Sequence, residues 1–323
     1  MKSIFPFTMA GVHPFQDMAE LERIRSIPKE KMCDHPNPNF KIRIIEDRTQ
    51  FGFSYWLDIV TGIKRSLDAG KKHVIILPAP NPQYAFVAQM INQLRIPCHH
   101  VHTFNMDEYA DENGRTAPRE WKGGFQYWMW NDLFSRIDPE LAIPESQIHF
   151  PSSDNVNDYS QMIVDLGGAD ICYGGIGWSG HIAFFEPDLW VEFGDDIQAY
   201  LKAGTRMVDL HPITVMQNSL FCDASCSGDW SNVPPKAATI GPLDLANSKI
   251  VKFWDGFDYG DPSWQRFITR LAAHGPVTPK VPASILQILN SELTITGSLA
   301  RPCDTEVIGE RAIAYQNIQF KER

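Results

Sequence analysis

Long apolar runs are missing from this 323-residue chain. No segment approaches the ~20 consecutive apolar residues of a membrane-spanning helix, so no membrane partner is expected. The start, MKSIFPFTMAGVHPF, is interrupted by Pro6 and His13 and does not read as a signal peptide. Basic residues are in deficit: 29 Lys+Arg stand against 39 Asp+Glu, a formal net charge of −10. That balance argues against a nucleic-acid partner, because such binding needs a basic surface to displace counterions. A local basic pocket for an anionic substrate stays compatible with it. Cysteine is sparse: six residues, at 33, 98, 172, 222, 226 and 303, are too scattered for a disulfide scaffold. Reduced thiols and a cytoplasmic location are expected. Internal repeats and low-complexity tracts are also lacking. With 43% hydrophobic and 21% charged residues, the composition excludes a disordered chain.

What is present is an alternation of strand and helix signals. Residues 1–40 are irregular, with a helical run at Glu20–Arg25 and turn formers clustered in CDHPNPNF. They are read as an N-terminal extension packed on a domain spanning 41–323. From Lys41 the alternation begins. Lys41–Ile45, Val74–Leu77, His100–Phe104, Ile171–Tyr173 and Lys249–Trp254 read as strands. Phe53, Trp56, Leu57, Val60, Ile63 and Leu67 recur at helical spacing, with Gly70 suited to the position after the helix. Tyr84–Leu94 and Phe125–Ile137 read as further helices. Such alternation implies an α/β fold with a mostly parallel sheet and helices on both faces. In such sheets ligands bind beyond the carboxyl ends of the strands. The chemistry is therefore expected in the loops after 77, 104, 173 and 254.

Two of those loops carry reactive side chains. Asp107 and Glu108 follow a strand directly, where adjacent acids are placed for proton transfer; an acid pair at a helix start is the other reading. Residues 174–187, GGIGWSGHIAFFEP, open with four glycines in seven residues, which lets backbone approach a ligand closely. His181 follows, with Glu186 five residues on. A His–carboxylate pair is a common acid/base unit, since the carboxylate fixes the tautomer and stabilises imidazolium. A tight turn beside a packed histidine is the alternative. The segment does not fit the dinucleotide fingerprint, so no nucleotide cofactor is expected. Cys98-His99-His100-Val101-His102 puts His100 and His102 on one strand face, but a metal site needs further ligands in fixed geometry. Cys222-x-x-x-Cys226 lacks a second pair. No metal is expected.

FNMDEY (104–109), GGIGWSGHIAFFEP (174–187) and GPVTPKVPASILQ (275–287) resemble signature segments of the glucosamine-6-phosphate deaminase/isomerase family. Smaller echoes are IPESQIHF (143–150), TRMV (205–208) and VPPKAATIGPLD (233–244). Order and spacing agree over roughly 41–300. The resemblance implies a modified Rossmann-type fold, shared more distantly with 6-phosphogluconolactonases. It also implies a catalytic set. His181 would open a pyranose ring by moving a proton onto the ring oxygen, Glu186 would orient and polarise His181, and Asp107 would carry a proton between C2 and C1. The substrate would be contacted by Ala79, Asn81, Gly175, Gly177, Trp178, Ser179 and Gly180. No metal or other cofactor is needed by that chemistry. Since the family includes monomers and larger assemblies, self-association is an expectation.

The departures from the family pattern concern charge. Ser179 stands where the family has an Asp two residues before the His, and Trp178 precedes it. The family's phosphate-holding turn is Gly/Ser/Thr-rich, whereas here it reads Leu77-Pro78-Ala79-Pro80-Asn81-Pro82-Gln83, and three prolines remove three N–H donors. Leu220 replaces a family Arg, and Asp255-Gly256-Phe257-Asp258-Tyr259 offers no match for a family Lys. The expectation is a sugar isomerase, with or without ammonia release, acting on an amino sugar or related carbohydrate with altered phosphate recognition. A lactonase-type hydrolase and a catalytically inactive sugar-binding protein are the rival readings. The aromatic and acidic content of 253–264 would supply stacking and hydroxyl contacts, or simply pack.

Overall fold

A computed structural model of the chain describes residues 7–221, 227–256 and 264–303. Cys222, Cys226 and residues 257–259 of the loop read above lie outside the described residues. In chain order the elements are α1 (Met18–Arg25), β1 (Phe40–Ile45), α2 (Arg48–Asp68), β2 (His73–Leu77), α3 (Tyr84–Leu94), β3 (Val101–Asn105) and β4 (Asp107–Ala110). There follow α4 (Phe125–Asp132), β5 (Ile148–His149), α5 (Tyr159–Asp165), β6 (Ile171–Gly174), α6 (Trp190–Phe193), α7 (Ile197–Tyr200) and β7 (Arg206–Asp209). The last are α8 (Pro212–Phe221), β8 (Lys236–Thr239), α9 (Pro242–Ala246), β9 (Val251–Asp255), α10 (Gln265–His274) and β10 (Ser291–Thr296).

Seven strands form one sheet in the order β1-β10-β9-β6-β2-β3-β5, with every pairing parallel. The central strand β2 is HVIIL and is buried throughout. Its alternate residues serve two different cores: Val74 and Ile76 join one apolar cluster, Ile75 and Leu77 the other. Side chains of a strand alternate between faces, so both faces of the sheet are covered. This is the α/β architecture the alternation predicts. A second, three-stranded antiparallel sheet has the order β4-β8-β7. The chain passes from one sheet to the other between Asn105 and Asp107, which places Asp107 at the junction.

Two helices show features that spacing did not give. The buried face of α2 runs through Phe51, Tyr55, Ile59 and Ile63, a strict i, i+4 series, while Phe53 and Leu57 are exposed. Both series have helical spacing, and hydrophobicity alone does not choose between them. The tyrosine in the buried series reaches Tyr84 and the sheet. The helix expected over Phe125–Ile137 stops at Asp132, because Leu133 leaves helical geometry (φ −124°, ψ −72°) and a 3₁₀ turn follows at Phe134–Arg136. That turn is tied to α3: the Asn92 side chain donates to the Arg136 carbonyl at 2.8 Å and accepts from the Asp138 N–H at 2.8 Å.

Residues before β1 are bound to the body by the same apolar core. Phe15, Leu21, Ile24 and Met32 belong to the cluster that contains Ile268, Leu271 and Ala272 of α10. Arg270 of α10 is fully buried and its guanidinium donates to the carbonyls of Ile27 (2.7 Å), Ala300 (2.6 Å) and Arg301. A buried guanidinium must spend its donors on such acceptors, and removing it strands them. Arg270→Leu is therefore expected to lower unfolding free energy by roughly 3 kcal/mol. Urea denaturation measures this; a loss below about 1 kcal/mol would contradict the role assigned to Arg270.

Candidate active site

The three loops that follow β2, β3 and β6 meet because those strands are neighbours in the sheet, in the order β6-β2-β3. Beyond their carboxyl ends lies a cavity of about 250 Å³. Ala79 and Asn81 line it from the β2 turn, Asp107 from the β3–β4 junction, and Gly175, Gly177 and His181 from the loop after β6. Six residues expected at the site from sequence are thus brought together. Trp178, Ser179, Gly180 and Glu186 are not among the lining residues. Trp178 is 39% exposed and meets the Trp264 ring at 5.9 Å between centroids. Gly180 takes a left-handed turn (φ +81°) against Ile268 and Val281. Ser179 and Glu186 are buried behind His181 rather than in front of it. Trp178, Ser179 and Gly180 do not line the cavity; Tyr55, Tyr84, Phe125, Phe184 and Gln265, which the sequence did not single out for the site, do, and Trp264 joins them from the 253–264 segment read for stacking.

The histidine is held from one side only. Its Nδ1 lies 2.9 Å from Ser179 Oγ and 2.9 Å from Thr214 Oγ1. Ser179 Oγ donates to Glu186 Oε2 at 2.9 Å, so its oxygen is left to accept from the imidazole. This assigns the proton to Nδ1 and the lone pair to Nε2. On the Nε2 side the ring lies against Gly177: a Cβ on that residue would stand 1.9 Å from Nε2. Only glycine leaves room for the ring there. Glu186 itself is 3.4 Å from Nδ1, and its other oxygen accepts the His211 N–H at 3.1 Å. Burial pushes this carboxyl up, but the neighbouring His181 and the hydrogen bonds it accepts outweigh burial and hold it below its ordinary value. It acts on His181 chiefly through Ser179. A serine bridge between carboxylate and imidazole is a function that loss of the family Asp did not suggest.

The N-terminal segment reaches this network. His13 Nδ1 accepts from the Phe15 N–H at 3.1 Å, leaving Nε2–H to meet the Ser179 carbonyl at 2.9 Å. Burial pushes the His13 pKa down, which keeps the ring in this neutral form. Neither His13 nor Thr214 carries a spacing signal; only the folded chain shows them.

The two adjacent acids have different duties. Glu108 accepts from the N–H groups of Tyr109 (2.9 Å), Phe125 (3.0 Å) and Gln126 (2.7 Å), and so caps the start of α4. Asp107 is buried, its Oδ1 has no hydrogen-bond partner, and it lines the cavity. Burial first, and the Glu108 charge second, push its pKa well above the ordinary carboxyl value. Asp107 pairs with Thr239 across β4–β8, and Thr239 Oγ1 accepts the Phe184 N–H at 2.9 Å. One threonine thereby ties the Asp107 strand to the His181 loop. Asp255, at the end of β9, fastens the same loop by accepting the Ile176 N–H at 2.8 Å, and burial pushes its pKa up to about 7.

Comparisons with known proteins give the chain its relatives. The chain is 34% identical over 198 residues to a glucosamine-6-phosphate deaminase from Lachnoclostridium phytofermentans, covering 59% of this chain and 71% of that one. It belongs to the glucosamine-6-phosphate deaminase family. No family model matches it. A solved monomeric glucosamine-6-phosphate deaminase superposes with a TM-score of 0.66 at 21% identity, covering 80% of this chain and 98% of that one. A 6-phosphogluconolactonase from Thermotoga maritima superposes with a TM-score of 0.54 at 17% identity, covering 80% and 99%. The chain is a divergent member of the deaminase family, on a fold that the lactonase shares.

The charge of Glu108 helps hold Asp107 protonated, so removing it has a definite sign. Glu108→Gln is expected to move the acid limb of the kcat/KM profile to lower pH, because a base works only when ionised. The stability effect runs separately. Burial raises Glu108 itself from 4.5 to about 7, against the three N–H groups that favour its charge. Its contribution is present below the ordinary value and lost as pH rises through about 7. Wild-type unfolding free energy is expected to fall more steeply than that of Glu108→Gln between those values, in denaturation series at fixed salt. An acid limb that stays in place would remove the assigned coupling.

Proposed function

We propose that this chain is a sugar isomerase of the deaminase type, which opens a pyranose ring and moves a hydrogen from C2 to C1, releasing ammonia when C2 carries an amine. The observation that carries this reading is the placement of Asp107 and His181 on one cavity wall system, from strands on either side of β2. His181 Nε2, with its lone pair free, takes the proton of the anomeric hydroxyl and passes it to the ring oxygen as the C1–O5 bond breaks. Asp107 then takes hydrogen from C2 while O1 gains a proton from a water molecule, giving an enolamine; the ammonium released at the end carries away the charge of that added proton. Returning the C2 hydrogen to C1 leaves an iminium at C2. Water converts it to the ketone and ammonium, so amino aldose and water become ketose and ammonia. Transfer between adjacent carbons needs one carboxylate in reach of both and shielded from bulk water. A buried Asp107 with an unpartnered oxygen meets that need. Ser179, Thr214 and Glu186 hold the imidazole in its working tautomer and are positioning residues. A cytoplasmic location fits a chemistry of small sugars and the scattered free thiols.

The test is ammonia and ketose measured together on hexosamines, with exchange of the C2 hydrogen followed by NMR in D₂O. Asp107→Asn is expected to slow both by about 10²–10⁴-fold. Ring opening or lactone hydrolysis without any C2 exchange would overturn the isomerase reading.

A further inference from the structure

The cavity takes its character from what surrounds it, and none of its lining residues is Lys or Arg. The two internal stretches outside the described residues, 222–226 and 257–263, contain neither residue type. Arg43, which lies over the ring of the lining residue Trp254 at 5.3 Å, pairs with Glu292 at 3.5 Å, and Lys252 on the same strand as Trp254 pairs with Asp58 at 2.7 Å.

Backbone donors do not replace them. A strand–turn–helix corner such as β2–α3 binds anions when its N–H groups point outward unpaired. Here Pro78, Pro80 and Pro82 carry no N–H, leaving only Ala79 and Asn81 with donors between 78 and 82. The next four are already engaged: Gln83 N–H on Asn81 Oδ1 (2.9 Å), Tyr84 on Asn81 O (2.8 Å), Ala85 on Pro82 O (3.3 Å) and Phe86 on Gln83 O (3.0 Å). Asn81 thus uses its side chain and carbonyl to close the corner against an anion. Asp107, once ionised, repels one further.

What the cavity offers instead suits hydroxyl groups and sugar faces. Tyr55 and Trp254 meet edge to face at 5.4 Å, and Tyr55 and Tyr84 join their hydroxyls at 2.8 Å. Trp264 and Gln265 also line the cavity. Three buried polar atoms of lining residues have no partner: the donor Trp254 Nε1 and the acceptors Gln265 Oε1 and Asp107 Oδ1. Unpartnered buried groups of both kinds are costly unless a ligand satisfies them.

We propose that the site accepts an unphosphorylated sugar, neutral or bearing an amine, with its exocyclic end against the Pro78–Asn81 turn and the Tyr55–Trp254 pair. This rests on the isomerase reading for the identity of the ligand as a sugar. It goes further by excluding an anionic group from the far end of the cavity, where a phosphate would lie desolvated without a counter-charge.

The experiment compares matched pairs: glucosamine, mannosamine, glucose and mannose, each with its 6-phosphate. Binding is measured by calorimetry on Asp107→Asn, and kcat/KM on the wild type. For at least one pair the free sugar is expected to bind at least 10-fold tighter than its phosphate. Ala79→Lys, which sets a cation at the exposed turn, is expected to narrow or reverse that ratio, with the new phosphate affinity falling as salt rises. Equal or tighter binding of the phosphosugar overturns the inference and leaves the isomerase reading intact if ketose forms. Preferential binding of a free sugar without ketose or C2 exchange supports the inference and sinks the isomerase reading. Binding of neither member of any pair overturns the inference.

Discussion

Two neighbouring carboxyl groups, on Asp107 and Glu108, are buried at the point where the chain leaves one sheet for the other, and the site depends on their unequal treatment. Side chains alternate along a strand, so adjacent residues must face opposite ways. Glu108 turns to the start of α4 and is met by three backbone N–H groups. Asp107 turns to the cavity and keeps an oxygen without a partner. One carboxyl is spent on structure, and its charge helps tune the other. When two titratable groups share a site, it is the difference in their surroundings that separates their roles.

The histidine is organised by the same economy of donors. Its Nδ1 faces two hydroxyls and, beyond them, a carboxylate, while Nε2 stands over a glycine. A serine between Glu186 and His181 transmits orientation and keeps a direct buried ion pair from being the only link. The Ser179 carbonyl in turn receives His13, so a segment ahead of the first strand buttresses the loop that carries the reactive ring. The Thr239 hydroxyl joins this loop to the Asp107 strand. The relative placement of the two reactive groups is therefore set by packed elements, as productive geometry requires.

Much of the architecture was legible in the sequence because it rests on short-range signals. β2 is a short apolar run bounded by Pro78, and α3 matches its periodic segment from Tyr84 to Leu94. The acids after β3 and the glycine loop after β6 stood out as chemistry at strand ends, and the structure puts Asp107 and His181 on one cavity. What was not legible depends on contacts distant in sequence. Thr214 and His13 reach the site from 33 and 166 residues away from their partners. The buried face of α2 was not legible, because Phe53 and Leu57 are as apolar as Ile59; burial follows the neighbours, which the local pattern does not contain. Ser179 was legible as a change of residue but not as a bridge, since that role needs the coordinates of Glu186.

The turn after β2 shows how specificity and chemistry separate on this fold. The groups proposed to move protons sit on the loops after β3 and β6, where the register of the sheet and the Thr239 link fix them. The turn between those loops makes no contact needed for proton transfer, so its composition is free to set what the cavity admits. Prolines at 78, 80 and 82 remove donors, and Asn81 consumes two of those that follow. A corner whose dipoles are internally satisfied has little left to offer an anion, whatever the fold's general aptitude for holding one. The aromatic pair beside it, Tyr55 and Trp254, lines the cavity with apolar area instead, which suits the apolar faces of a sugar ring. The proton-transfer machinery places no charge requirement on the far end of its substrate. In the proposed reaction the same Asp107 and His181 would serve a sugar of either kind, and the β2 turn would decide which kind arrives.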